Sequence, residues 1–186
     1  MLGVPEQPIV PGGRRAHLHE NALSTSANLM IATRYDTVGG VLTALWTETP
    51  TFGFGWLPAK GPDRLCEQAV CAWWNSTLGR ILLLNRRGRK LTYPKWSVEH
   101  VNSLPCPKPD SSSCSLLAHA WQETCRIPLF PLRQAEECPV REIIDDAAAR
   151  ALGVEPVVLA DWRRRLAAEP PVSKARAVEP DGEARP

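Results

Sequence analysis

The 186-residue chain predicts an α+β fold, with a small, irregular β-rich unit packed on a central apolar helix and a helical extension behind it. Three observations lead there. Short β-branched and aromatic runs separated by glycines occupy the first third of the chain. An apolar run with helical spacing starts at Asp63 and continues to Leu84. Beyond a proline- and serine-rich connector, three amphipathic stretches carry their own start and stop residues.

Residues 1–16, rich in proline and glycine, are expected to form a flexible arm. Residues 28–35 (NLMIATRY) and 41–47 (VLTALWT) read as strands, joined through Gly39-Gly40 in a hairpin. Residues 51–57 (TFGFGWL) alternate small and aromatic side chains, which puts Phe52, Phe54 and Trp56 on one face of a third strand. The glycines opposite imply close approach of another group, and packing is the expected reason.

Asp63 suits the N-cap of the central helix. Apolar residues lie on nearly every side of that helix, so it must be covered on most faces, with Trp73, Trp74, Ile81 and Leu82 in the core. Asn75 and Ser76 in such a setting need hydrogen-bond partners, and Gly79 marks a bend or a close crossing. Leu91-Thr92-Tyr93 reads as a brief strand that Pro94 keeps out of a sheet interior. A short extended piece then leads to Leu104-Pro105-Cys106-Pro107.

The expected divisions are a 17–109 α+β domain, a 110–168 helical extension and a disordered 169–186 tail that is proline-rich, charged and without aromatics. Within the extension, 115–126 is helical with Leu116, Leu117, Ala120 and Trp121 on one side. Pro139 opens a helix that Gly153 ends, and Pro156 opens the last one, with Leu159, Trp162 and Leu166 on its stripe and Arg163-Arg164-Arg165 beside it.

The net charge of +2 argues for no partner by itself, but its distribution is uneven. Between Glu67 and Glu99 there is no acidic residue and there are six basic ones: Arg80, Arg86, Arg87, Arg89, Lys90 and Lys95. Residues 136–155 hold six acids against Arg141 and Arg150. A basic centre and an acidic later helix give the molecule a directional surface. No export signal is read at the start and no apolar run reaches the ~18 residues of a membrane span, so a cytoplasmic location is expected. The six cysteines have no C-x-x-C spacing and Cys66 and Cys71 lie on one helix, so free buried thiols are expected rather than disulfides or a zinc site.

Catalytic signatures are missing from the sequence. No glycine-rich nucleotide loop and no G-x-S-x-G elbow occur. Asp145-Asp146 reads as part of a solvent-facing acidic helix, and no local pattern supports His100 with Cys106 as a nucleophile pair. Catalysis by this chain alone is not expected.

Several short motifs nevertheless fall in a recognisable order. Trp74-Asn75-Ser76-Thr77-Leu78-Gly79, the basic loop around Gly88, Leu91, Trp96 and the exit Leu104-Pro105-Cys106-Pro107 resemble the C-terminal target-recognition region of N6-adenine DNA methyltransferases. The same order is similar to that of Type I restriction specificity subunits. Upstream, residues 29–34 and Gly53-x-Gly55-Trp56 resemble the strands before that helix. Downstream, Ile144-Asp145 through Leu152-Gly153, Trp162-Arg163 and Ala168-Glu169-Pro170 resemble the closing helical hairpin, so the likeness spans roughly residues 17–172.

The resemblance implies a DNA-recognition part of an adenine-specific methyltransferase or restriction–modification system. It also sets a limit, because the family's cofactor loop and its Asn/Asp-Pro-Pro-aromatic motif are missing; the one Pro-Pro, at 170–171, follows Glu169 and precedes Val172. No cofactor is therefore expected in this chain, and S-adenosylmethionine would belong to a separate catalytic domain. The expected partners are double-stranded DNA and that domain or subunit. Arg86, Arg87, Arg89, Lys90 and Lys95 are expected to neutralise phosphates, and one loop arginine or Arg34 to reach a guanine edge. The competing readings are a protein–protein interaction module, a gene fragment with no DNA binding of its own, and a complete small enzyme whose site the sequence does not reveal.

Overall fold

The structure, a computed structural model, describes residues 26–33, 42–53, 55–85 and 96–169. It is an α+β fold built on one three-stranded antiparallel sheet. Strand β1 (Ala27–Ala32) lies between β2 (Ala44–Thr51) and β3 (Trp56–Ala59). Leu29, Met30 and Ile31 of β1 pair with Trp46, Leu45 and Ala44 of β2, and with Ala59, Pro58 and Leu57 of β3. Pro58 is tolerated because β3 is an edge strand.

Between residues 52 and 55 the expected third strand gives way to a turn. Trp56 N donates to Gly53 O at 3.3 Å and Gly55 takes φ +84°, a left-handed conformation that suits glycine. Phe52 consequently lies 61% exposed instead of sharing an aromatic face with Trp56. The close approach inferred at the glycines is found at Gly53, where a Cβ would stand 2.9 Å from the Trp56 ring, and not at Gly55, where the nearest atom would be Thr33 Oγ1 at 3.8 Å.

The central helix is two helices, α1 (Arg64–Asn75) and α2 (Thr77–Asn85), broken at Ser76. Asp63 caps α1 by accepting from Cys66 N at 2.8 Å. Trp73 and Trp74 are buried, whereas Ile81 and Leu82 are only partly covered against the core and Leu65 is exposed. The stretch expected to be extended holds a one-turn helix, α3 (Val98–Asn102). Ser97 and His100 form a capping box there, with His100 N donating to Ser97 Oγ at 3.3 Å.

The remaining helices are α4 (Ser112–Thr124), α5 (Pro139–Leu152) and α6 (Pro156–Ala168), with a 3-10 turn at Leu132–Gln134 before α5. Gly153 ends α5 with φ +68°. The stripe of α6 differs from expectation: Leu159, Arg163, Leu166 and Ala167 face inward, and Trp162 is 40% exposed. Helix α1 packs most extensively on α4, and α4 on α5. One core therefore runs from Leu29 and Trp46 of the sheet through Trp74 and Leu117 to Ile144 and Leu159. Full burial of side chains such as Leu29, Leu117 and Leu159 stabilises by about 1.5–3 kcal/mol each. Among the described residues no helix is long and apolar enough to cross a membrane. The expected arm at 1–16 and nearly all of the expected tail, from residue 170 on, lie outside the described residues, as does the strand expected at 91–93.

Candidate nucleic-acid interface

A corner of the sheet holds the described residues that flank the stretches the sequence marks as basic. Ala32 N donates to Thr43 O at 2.9 Å, Thr33 N to Gly55 O at 2.7 Å, and Trp96 N to Thr33 O at 2.9 Å. Trp96 is 2% exposed, and its indole Nε1 donates to Leu83 O in the last turn of α2 at 3.1 Å. Trp96 thus pins the backbone after residues 86–95 to both the sheet and α2. Thr33, its hydrogen-bonded partner, immediately precedes Arg34 in sequence. The six residues expected to contact DNA, Arg34, Arg86, Arg87, Arg89, Lys90 and Lys95, all lie outside the described residues, and only their attachment points are placed.

The break between α1 and α2 is made by side chains that satisfy the buried backbone on both sides. Asn75 Oδ1 accepts from Thr43 N at 2.9 Å and from Ala44 N at 3.4 Å, while its Nδ2 donates to Ala44 O at 2.8 Å and Cys71 O at 3.0 Å. Ser76 Oγ donates to Trp73 O at 2.6 Å and accepts from Gly79 N at 3.0 Å. The need for partners at Asn75 and Ser76 is met within the protein. Gly79 is the close crossing that its position suggested: a Cβ there would stand 2.2 Å from Trp73 O.

Asp145 corrects the solvent-facing reading of its helix. It is 1% exposed, and its two oxygens accept from Thr77 N and Thr77 Oγ1, both at 2.7 Å. Arg163 Nη1 donates to Asp145 Oδ2 at 2.9 Å, which closes a buried ion pair. Asp145 therefore caps α2 from a distant helix and favours the positive end of its dipole. Burial pushes its carboxyl above the ordinary range, opposed by the Thr77 amide and hydroxyl and by Arg163. Arg141, fully buried, adds a second tie by donating to Asn75 O at 3.3 Å and Phe130 O at 2.8 Å.

Comparison with protein-family models, with curated proteins and with solved structures finds no match.

Arg80 is 1% exposed, so one of the six cations counted between Glu67 and Glu99 belongs to the interior and not to the charged surface. Cys66, Cys71, Cys114 and Cys138 are buried free thiols, as expected of all six, but Cys106 and Cys125 are exposed. Burial raises the Cys71 thiol to about 12. Sequence reasoning missed the anchoring roles of Trp96, Asp145, Arg141 and Arg163. For Trp96, a lone aromatic directly after a cationic loop was the available signal. The two arginines and Asp145 offered none, because their partners lie far away in sequence.

Proposed function

We propose that this chain is the DNA-recognition part of an adenine-specific DNA methyltransferase or restriction–modification system, working in the cytoplasm without its own methyl-transfer domain. The observation that carries the reading is the run of five cations at residues 86–95, uninterrupted by any acid, entering from α2 and leaving through the buried Trp96. A basic segment fixed at its base loses less freedom on meeting a phosphate backbone than one hanging from an unanchored chain. The hydrogen bond from Trp96 N to Thr33 O joins the residue before Arg34 to the residue after Lys95 in sequence, which supports a shared binding role for the two stretches. The methyl-transfer step, with S-adenosylmethionine, is assigned to a separate catalytic domain or subunit.

Charge reversal tests this directly. The triple variant Arg86→Glu, Arg87→Glu, Arg89→Glu should abolish binding of a duplex by the full chain while its circular dichroism stays unchanged. Undiminished binding by a folded variant would refute the assignment.

A second reading, a protein–protein module, draws on a specific surface. Leu152, Val154, Val157, Val158 and Trp162 are all exposed, Val157 at 71%. In the proposal above the same face would meet the catalytic partner; in the second reading it would act with no nucleic acid present. Duplex binding that survives in the wild type but not in the charge-reversed chain distinguishes the two.

A further inference from the structure

Helix α6 meets α2 along a groove of about 300 Å3. Ile81 of α2 lines it together with Trp162, Arg165, Leu166 and Glu169 at the end of α6. The floor is apolar: Leu166 is 9% exposed, and Ile81, expected in the core, is only partly covered. Trp162 is 40% exposed, and among the described residues none accepts a hydrogen bond from its indole. Arg165 Nε is already matched by Asp161 Oδ2 at 2.7 Å, so it leaves no unopposed cation at the rim. The volume stands at the lower limit of the roughly 300–1,000 Å3 of small-molecule sites, which suits a short apolar peptide edge better than a larger ligand.

The chain supplies such an edge at this point. Glu169, the last described residue, lines the groove, and the sequence continues Pro170-Pro171-Val172. Glu169 leaves α6 at φ −56° and ψ 133°, the extended geometry that a following proline imposes. We propose that Pro170-Pro171-Val172 of this same chain fill the α2–α6 groove, running back along α6 over Leu166 and Ile81 toward Trp162. The reach fits. Trp162 lies seven residues before Glu169, about 10 Å along a helix axis, and three extended residues cover about the same distance.

The chemistry fits as well. Consecutive prolines favour a polyproline II conformation, so little freedom is lost on docking. Carbonyls in that conformation have no partner within the segment, and the Trp162 indole is a donor beside an aromatic face, the combination that recognises proline-rich strands elsewhere. A tethered segment also acts at an effective concentration of about millimolar, which disfavours a second copy of the chain or a dilute partner as the occupant. Trp162 is one end of the exposed apolar face that includes Val157 and Val158, so the docked segment shortens that face. Occupancy of the groove is independent of what residues 86–95 bind.

The test is nuclear magnetic resonance of the full chain, isotope-labelled at its methyl groups and indoles. Nuclear Overhauser contacts are expected from the Val172 methyls to the Trp162 ring and from the Pro171 ring to the Ile81 methyls. They should stay within one molecule when labelled and unlabelled chains are mixed. The triple variant Pro170→Gly, Pro171→Gly, Val172→Ser should shift the Trp162 indole resonance and leave those of the buried Trp74 and Trp96 in place. Trp162→Ala should remove the contacts of Pro171 and Val172. Wild type without contacts between Val172 and Trp162, contacts found only between different molecules, or an unshifted Trp162 indole in the triple variant would overturn the proposal. The wild-type spectrum decides the matter even if a variant fails to fold.

Discussion

The seam between α1 and α4 and the junction between α1 and α2 are both buried, but they are held by opposite means. The seam relies on apolar side chains such as Ala69, Trp73, Leu117 and Ala118, whose burial is non-directional. The junction relies on Asn75, Ser76, Thr77, Asp145, Arg141 and Arg163, each meeting a named atom at hydrogen-bond distance. A seam of the first kind tolerates change of shape at moderate cost. A network of the second kind fails sharply, because removal of one member leaves the others buried and unsatisfied.

The contrast can be broken where it is most pronounced. Asp145→Ala leaves the Arg163 guanidinium and the Thr77 amide without their acceptor, and should cost about 3–5 kcal/mol in urea unfolding. A loss under about 1 kcal/mol would mean that the junction is no more demanding than a surface pair. Leu117→Ala, at a fully buried site in the seam, should cost about 2–5 kcal/mol and preserve the fold. If it proves costlier than Asp145→Ala, the proposed ranking of the two regions is inverted.

A pH titration sharpens the comparison further. The Cys71 thiol is raised from 9.0 to about 12 by burial, so the unfolded chain loses this proton first. Its contribution is present in full below pH 9.0 and disappears as pH rises toward about 12. Stability should fall with a slope of up to about 1.4 kcal/mol per pH unit across that window from this group. Cys71→Ala should show a shallower alkaline slope than the wild type; equal slopes would exclude Cys71 as the source. The smallest effect is expected at the exposed cap of α3, where Ser97→Ala should cost about 1 kcal/mol in thermal unfolding.

What the sequence disclosed follows the same division. Apolar periodicity, Asp63 as a cap, Pro139 at a helix start and Gly153 at a helix end all act locally, and they predicted the order of elements. The break at Ser76 was hidden because its cause is an aspartate from a distant helix, and periodicity alone continues smoothly from Trp74 to Leu84. Asp145 looked solvent-facing because an acid beside Asp146 and Glu142 fits an exposed face until Thr77 and Arg163 are seen around it. The turn at 52–55 escaped because alternation of glycine with aromatics mimics a strand, while Gly55 takes a conformation that a strand does not use. At the candidate interface, the cationic residues stand together in the sequence and lie outside the described residues. Their attachment through Trp96 and Thr33 depends on hydrogen bonds between segments far apart in the chain.

The functional account stands on electrostatic recognition of a phosphate backbone by residues 86–95. Its most direct test is the dependence of duplex affinity on salt, measured with the full chain. Five cations each displacing a counterion predict a slope of about −4 to −5 in log K against log salt concentration. Affinity that does not change with salt, or no duplex binding at the lowest salt, would contradict it.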